Sequence, residues 1–112
     1  MKTVTISVST MDETKQRFLA AFKGTRQGAH ISFPTVELLW KVLAPNRMAL
    51  VRTLTGAGVV SIREAARRVN RDVRAVHSDV TALINAGLLN RTEDGIEFPY
   101  DAVHVDFVLK AA

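Results

Sequence analysis

The sequence contains no cysteine, which excludes disulfide bonds, thiolate metal sites, cysteine nucleophiles and redox sensing through thiols. It also lacks any run near the roughly 18 consecutive apolar residues that a membrane-spanning helix needs. The polar alternating start and the Asp12-Glu13 pair that follows it do not resemble a signal peptide. Three scattered histidines lack the spacing of metal ligands. We therefore expect a soluble, cytoplasmic protein with no membrane partner, no metal and no other cofactor.

Positive charge is concentrated in one part of the chain. The 112 residues fit one domain, and 47% hydrophobic and 23% charged residues are ordinary globular values. The segment from Arg47 to Thr92 contains eight arginines and three carboxylates, which gives it a net charge of +5. The rest of the chain has a net charge of −1, so that the total is +4. Every basic residue in that window is arginine, which suits forked contacts with phosphate and guanine. This local excess favours a polyanionic partner.

The first 32 residues form a predicted strand-helix extension. Residues 3–9 alternate Thr/Ser with Val/Ile, which is typical of a half-buried strand. A capping box at Thr10–Glu13 predicts a helix to about Lys23, with an apolar stripe of Phe18, Leu19 and Phe22, and residues 24–32 are predicted to be a loop. We expect residues 1–32 to serve dimerisation or partner binding and residues 33–112 to form the main domain.

Two amphipathic helices are predicted next. The first begins at Pro34, and its core stripe, which includes the tryptophan, consists of Val36, Leu39, Trp40 and Leu43. The second runs from Pro45 to about Thr55, burying Met48, Val51 and Leu54 and leaving Arg47 and Arg52 for solvent or DNA. The phenylalanines are also expected in the core, and Val59-Val60 is predicted to be a very short strand.

A second capping box, Ser61–Glu64, predicts a helix whose arginines, Arg63, Arg67 and Arg68, face outward. Asn70-Arg71 forms the predicted turn, and Asp72 can cap the next helix. Two helices joined so tightly predict a helix-turn-helix unit.

The second helix of this unit has a buried stripe of Val76, Val80, Leu83 and Ile84, ending near Ala86-Gly87. By subtraction, its free face consists of Arg74, His77, Ser78 and Thr81, which recur at i, i+3, i+4 and i+7. Such a row of polar side chains fits a major groove about 12 Å wide, where Arg74 can fork onto guanine and Val73 can contact a thymine methyl.

A β-hairpin is predicted after this helix, with a strand at 88–92, a turn at 93–95 containing Asp94-Gly95, and a strand at 96–98. Arg91 is its basic residue able to reach a DNA backbone or minor groove, whereas its carboxylates argue against deep insertion of the tip. The alternating Val103, Val105 and Phe107 can pair with the first strand either within a subunit or between subunits.

The order Ser61–Ala66, Asp72–Val80 and Leu83–Leu89 resembles MarR- and ArsR-like winged-helix regulators over about residues 45–100. It is most similar to short prokaryotic putative transcriptional regulators with Pro-Asn-Arg before the third helix and Pro99-Tyr100-Asp101 after the hairpin. Some of these resemble antitoxins encoded beside a ribonuclease-like toxin, which implies a repressor that also binds a toxin. Metal sensing of the ArsR type does not carry over, because its cysteines are absent here.

These observations predict an α+β winged helix-turn-helix protein that represses transcription by binding double-stranded DNA as a homodimer. The expected DNA-binding residues are Arg63, Arg67, Arg68, Arg71, Val73, Arg74, His77, Ser78, Thr81 and Arg91. The alternative is an antitoxin or other protein-interaction module that neutralises a partner toxin, with or without DNA binding. No catalytic residues are expected, because Gly56-Ala57-Gly58 lacks the lysine and hydroxyl of a phosphate-binding loop and His104 with Asp106 are only same-face neighbours.

Overall fold

The computed structural model describes residues 2–9, 15, 16, 19, 29–109 and 111. Lys15, Gln16 and Leu19 are helical and exposed. The rest of the predicted helix after Thr10, including Phe18 and Phe22, lies outside the described residues. In chain order the elements are β1 (Thr3–Val8), β2 (Ala29–Phe33), α1 (Val36–Val42), α2 (Pro45–Leu54), α3 (Ile62–Val69), α4 (Val73–Asn85), β3 (Asn90–Thr92), β4 (Gly95–Glu97) and β5 (Ala102–Asp106).

A three-stranded sheet in the order β2-β1-β5 brings together three distant parts of the chain. β1 is parallel to both neighbours, with Ile6 opposite Ile31 on one side and Val105 on the other. The open question of pairing is thereby answered, since β1 and β5 pair within one chain. The sheet also joins strands from both sides of the predicted boundary at residue 32.

The predicted loop at 24–32 is wrong at its end, because residues 29–32 belong to β2. The strand follows from the alternation of Ala29, Ile31 and Phe33 with His30 and Ser32. Its apolar members share the face of β1 that carries the fully buried Val4 and Ile6. Pairing with a strand more than 20 residues away stabilises β2, and so short a run does not reveal that pairing.

α1 starts later than predicted and buries a narrower stripe. Thr35 is its N-cap and accepts a hydrogen bond from the Leu38 backbone N–H at 3.1 Å, so Pro34 precedes the helix rather than opening it. Leu39 and Leu43 are buried, but the prediction of a core position for Trp40 is wrong, since the residue is 53% exposed. This short helix covers the sheet with one side only, and the indole packs edge-to-face on Phe107, with ring centroids 5.4 Å apart.

α2 occupies Pro45–Leu54, with proline at its first position as predicted. Leu50, Val51 and Leu54 are fully buried, whereas Met48 is only partly so. They belong to one core with the buried faces of α3, α4 and the sheet. Phe33 and Phe98 are buried there as expected, and Phe107 is partly exposed. The described chain is therefore a small α+β domain, and none of its helices is long and apolar enough to cross a membrane.

Candidate nucleic-acid interface

α3 begins at a side-chain cap. The Ser61 Oγ accepts a hydrogen bond from the Glu64 backbone N–H at 3.0 Å, a contact that typically contributes about 1 kcal/mol. The reciprocal half of the predicted capping box is replaced, because the Glu64 carboxylate binds the Arg67 guanidinium, with Nε to Oε1 and Oε2 distances of 2.6 and 2.8 Å. The arginine one turn along the helix is a stronger partner for a carboxylate than a backbone amide.

The link between α3 and α4 is a tight turn. Asn70 adopts the left-handed conformation, with φ 54° and ψ 52°, which asparagine tolerates better than most residues. The Arg71 backbone N–H then donates to the Ala66 carbonyl at 3.0 Å, closing the end of α3. Asp72 caps α4 as predicted, its carboxylate accepting from the Arg74 backbone N–H at 3.1 Å. Local hydrogen bonds therefore set the angle between the two helices.

α4 has two distinct sides. Val76, Val80 and Leu83 are completely buried against the core, and Ile84 is partly buried. The opposite side, which we call the α4 face, consists of Arg74, His77, Ser78 and Thr81, and all four are exposed. The helix therefore presents a polar row without an acidic residue in it.

The hydroxyl of Thr81 donates to the His77 carbonyl at 2.9 Å, so its oxygen is left as an acceptor toward a ligand. Asn85, which the sequence interpretation overlooked, is exposed one turn beyond Thr81 and extends the same row. Asn85 follows Thr81 by four residues, and this spacing alone predicts that the two side chains share one side of the helix. Val73 lies at the start of the helix, 40% exposed beside the arginines of α3.

Asp79 holds α4 to its surroundings through two arginines. The Arg47 Nε on α2 lies 3.1 Å from Oδ1, and the Arg71 Nη2 in the turn lies 2.8 Å from Oδ2. All three side chains are mostly buried, with 25%, 24% and 15% exposure for Arg47, Arg71 and Asp79. Arg47 also donates to the Lys41 carbonyl at 3.2 Å, so the prediction that it is left for solvent or DNA is wrong.

The sequence predicts Arg71 as a DNA contact, but in the structure its guanidinium is paired with Asp79. Its Nη1 is buried and has no hydrogen-bond partner among the described residues. In the sequence, Asp79 is only one of the three carboxylates between Arg47 and Thr92. Its position opposite two arginines follows from tertiary packing, which no local pattern shows.

The three predicted arginines of α3 are exposed. Arg63 and Arg67 border the N-terminal end of α4, whereas Arg68 lines a depression beside α2. Arg63 and Arg67 line a shallow depression with Ala66 and Val73. The hydrogen bond from Arg67 lowers the pKa of the Glu64 carboxyl below its usual value, with a further contribution from the charge of Arg68, whose Nε lies 3.9 Å away. The same contact raises the pKa of the Arg67 guanidinium. The positive charge of Arg63 is therefore less neutralised than that of Arg67, which is paired with the Glu64 carboxylate.

The β3–β4 hairpin is anchored next to the start of α3. The backbone groups of Val60 and Ile96 exchange hydrogen bonds of 2.8 and 2.9 Å, so the predicted strand at Val59-Val60 reduces to a single bridge at Val60. The predicted Asp94-Gly95 turn is also shifted, because Thr92 pairs with Gly95 and the two turn residues are Glu93 and Asp94. Gly95 is required for another reason: a Cβ there would overlap the Val60 carbonyl.

Arg91 is exposed on β3, whereas Glu93 and Asp94 occupy the hairpin tip. The hairpin thus offers one cation behind an acidic tip. Beyond it, the Asp101 carboxylate accepts from the Lys2 backbone N–H at 2.9 Å, and the Tyr100 carbonyl accepts from Gly56 at 2.9 Å. The Pro99-Tyr100-Asp101 segment therefore fastens the helix-and-hairpin unit to the sheet.

Other polar side chains lie on the sheet. The His104 Nε2 and Asp106 Oδ2 lie 4.0 Å apart on the exposed side of β5, confirming that they are same-face neighbours. The Ser7 hydroxyl lies 2.6 Å from the His30 Nε2 and 3.5 Å from the Ser9 hydroxyl, which also accepts from Ser32 at 3.5 Å. Within residues 2–9 and 29–109, no cluster of three or more histidines and carboxylates could hold a metal ion.

Comparison with known proteins finds one family model that covers the helices and the hairpin. The model of the HVO_A0114 family matches residues 42–105, more than half of the chain, from the last residue of α1 into β5. No curated protein and no solved structure matches. The match takes in α2, α3, α4 and the hairpin, and on that extent the chain belongs to the HVO_A0114 family.

Proposed function

We propose that this protein is a transcriptional repressor that binds double-stranded DNA sequence-specifically as a homodimer. The observation that carries the proposal is the α4 face, an exposed polar row on a 13-residue helix whose opposite side is anchored in the core. An α-helix of this kind fits the major groove, where side chains reach base edges.

In this proposal α3 and α4 act as a helix-turn-helix and the β3–β4 hairpin as a wing. Support comes from the order of the elements, the tight turn at Asn70 and the bridge between Val60 and Ile96 that fixes the hairpin beside α3. Arg74 contacts guanine, and His77, Ser78 and Thr81 contact base edges or phosphates. Arg63, Arg67 and Arg68 contact phosphates beside the groove, and Arg91 contacts the backbone from the wing.

For Arg71 and Arg67, this proposal departs from the roles that the sequence alone predicts. Because Arg71 is paired with Asp79, we propose that it orients α4 from within and does not contact DNA. Because Glu64 partly neutralises Arg67, we expect the larger phosphate contribution from Arg63. Asn85 extends the row and is proposed as a further contact at the C-terminal end of α4.

Binding measurements on selected DNA test the proposal. Fragments enriched by the purified protein would supply the operator. A dimer making about eight phosphate contacts should then show a log–log salt slope of about −7. A slope near zero contradicts the proposal.

Specificity is tested at Arg74. Arg74→Ala should weaken operator binding by about 1–3 kcal/mol and binding to random DNA much less, because it removes a forked base contact. Arg74→Lys keeps the charge but not the fork and should lose nearly as much. Lys41→Ala on α1 is the matched control, with the same charge change on an exposed residue outside the α4 face. Equal losses on both DNAs would make Arg74 a phosphate contact.

A partner-binding role, which includes that of an antitoxin bound to a toxin, is the second candidate. It is favoured by exposed apolar side chains away from α4, namely Leu38, Trp40, Val108 and Leu109. A stable complex with the product of a neighbouring gene, formed by a protein that shifts no selected DNA, would support this role over the first.

A further inference from the structure

β5 is an edge strand whose apolar side is incompletely covered. It pairs with β1 on one side, and no described strand pairs with its other edge. On the helix-facing side of the sheet, Val4 and Ile6 of β1 are fully buried, whereas Val103 and Val105 of β5 are only partly buried. The core therefore stops short at this edge.

An apolar depression lies beside the same strand. It has a volume of about 470 Å³ and is lined by Met48, Val51, Arg52 and Thr55 of α2 and its C-cap together with Val103 and Val105 of β5. Another strand next to β5 would place its own inward side chains beneath α2 and cover this depression.

The edge also lacks the features that keep strands apart. Lysine, proline and inward-pointing charge are the usual protections of exposed edges, and residues 102–109 contain neither lysine nor proline. Val108 and Leu109, which follow β5 in the sequence, are 71% and 76% exposed. Left open, this edge would promote uncontrolled association, so we expect a specific partner to occupy it.

We propose that the partner is a second copy of this chain, joined by antiparallel pairing of the two β5 strands about a two-fold axis at His104. This inference rests on the proposed function for its homodimer and names the surface that forms it. Such a contact is self-complementary and closed, and it would unite two three-stranded sheets into one of six strands.

The register follows from the symmetry. Pairing about His104 sets Val103 opposite the partner's Val105 and Ala102 opposite the partner's Asp106. Cross-strand pairs of β-branched residues are favourable, and these valines lie on the side of the uncovered depression. On the other side, each His104 meets its own copy with a carboxylate on the diagonal, so an imidazole N–H can donate to the partner's Asp106. No two carboxylates and no two lysines or arginines of β5 face each other in this register, which favours this occupant over an unrelated strand.

Because the chain contains no cysteine, His104→Cys would introduce a single thiol at the proposed axis. Opposed residues of antiparallel strands have Cα atoms about 4.5–5.5 Å apart, within the range of about 4.4–6.8 Å for disulfides. Mild oxidation of the full chain should therefore give a species of twice 12.3 kDa that dithiothreitol returns to one chain. Thr3→Cys, an exposed position on the central strand β1, is the control and should stay mostly uncrosslinked.

A charge variant tests the same contact without a covalent bond. His104→Asp opposes two carboxylates at the axis and sets each beside the partner's Asp106, so it should raise the dimer dissociation constant about fivefold, measured by light scattering. His104 is 64% exposed within one chain, so the helical circular dichroism should be unchanged. Thr3→Asp, at an exposed position on β1, is the matched control and should remain dimeric.

The outcomes separate this inference from the proposed function. A wild-type chain that is monomeric at micromolar concentration, or a dimer in which His104→Cys fails to crosslink, overturns the β5 interface whatever the DNA result. A monomeric His104→Asp protein that still binds a half-site, with about half the salt slope, supports both proposals. A β5-linked dimer that binds no DNA leaves the interface standing and removes the repressor function.

Discussion

The helix pair formed by α3 and α4 and the sheet β2-β1-β5 are stabilised in opposite ways. The helix pair depends on contacts between near neighbours in sequence: the caps at Ser61 and Asp72 and the left-handed Asn70. The sheet depends on contacts between segments up to 99 residues apart, such as that between Lys2 and Asp101. The locally determined region carries the cationic surface, and the non-local region carries the open edge.

The proposed DNA-binding surface and the proposed dimer interface are therefore in different parts of the molecule. A polar α4 face can change its side chains without disturbing the core, because none of them is buried. The sheet can extend by strand pairing only at its edges, because β1 already has a partner on each side. The proposed DNA recognition and the proposed dimer assembly should therefore be alterable independently, and the variants below test how far that independence extends.

The largest effect is expected in the centre of the sheet. Ile6→Ala removes a fully buried side chain from β1 and should lower the free energy of unfolding by about 2–5 kcal/mol. Trp40, the single tryptophan, contacts Phe107 beside β5, so its fluorescence reports the sheet while circular dichroism reports the helices. Ile31→Ala, at the partly buried partner of Ile6, is the control and should cost less. If the two signals fall at different denaturant concentrations, the regions unfold separately.

A somewhat smaller effect is expected where the hairpin meets the helix pair. Gly95→Ala should lower the free energy of unfolding by about 2–3 kcal/mol, since the added Cβ overlaps the Val60 carbonyl at a φ of 153°. Gly87→Ala has a similarly unfavourable φ of 82° but open space around it, so it should cost about 1–2 kcal/mol. Equal losses in chemical denaturation would show that conformation alone, and not the close approach to Val60, requires glycine at position 95.

Next in size is the ion-pair cluster beneath α4. Asp79→Asn leaves two mostly buried guanidinium groups without a counter-charge and should cost about 1–3 kcal/mol of stability. It should also reduce the preference for operator over random DNA, because α4 loses its attachment to α2. Asp94→Asn, at the exposed hairpin tip, makes the same chemical change and should leave stability within about 0.5 kcal/mol. An unchanged specificity ratio in Asp79→Asn would mean that packing alone orients the helix.

The smallest effect concerns the exposed carboxylate of Glu64. Its pKa in the folded chain is lowered by Arg67, so its contribution to stability is present above the unfolded pKa, near 4.5, and is lost as the pH falls through the folded pKa. Thermal midpoints of the native chain should decline slightly more below pH 4.5 than those of Glu64→Gln. Parallel curves for the two proteins would show that solvent screens this pair completely.

The sequence predicts the helix pair, which depends on local contacts, better than the sheet, which depends on contacts between distant segments. The caps at Ser61 and Asp72, the buried stripe of α4 and its exposed row are all confirmed, since each depends on residues within two helical turns. That the α4 face binds DNA remains a prediction. β2 was missed because its five residues are stabilised by pairing with β1, which no local pattern encodes.

The wrong predictions for Trp40 and Arg47 have the same cause. Trp40 has the periodicity of a core residue, but the short α1 covers the sheet with one side only. Arg47 and Asp79 are 32 residues apart, and only the packing of α2 against α4 brings them together. Sequence periodicity predicts which side of an element is apolar, but not how much of that side the neighbouring elements cover.

The central position of β1 has a consequence for synthesis. β1 is synthesised almost a hundred residues before its partner β5, so one side of β1 stays unpaired while the intervening chain is made. During that interval α3 and α4 can already form through their own caps. A nascent chain should therefore form its helical unit before its sheet is complete. Until β5 is made, a chaperone or a second nascent chain can bind the unpaired side of β1.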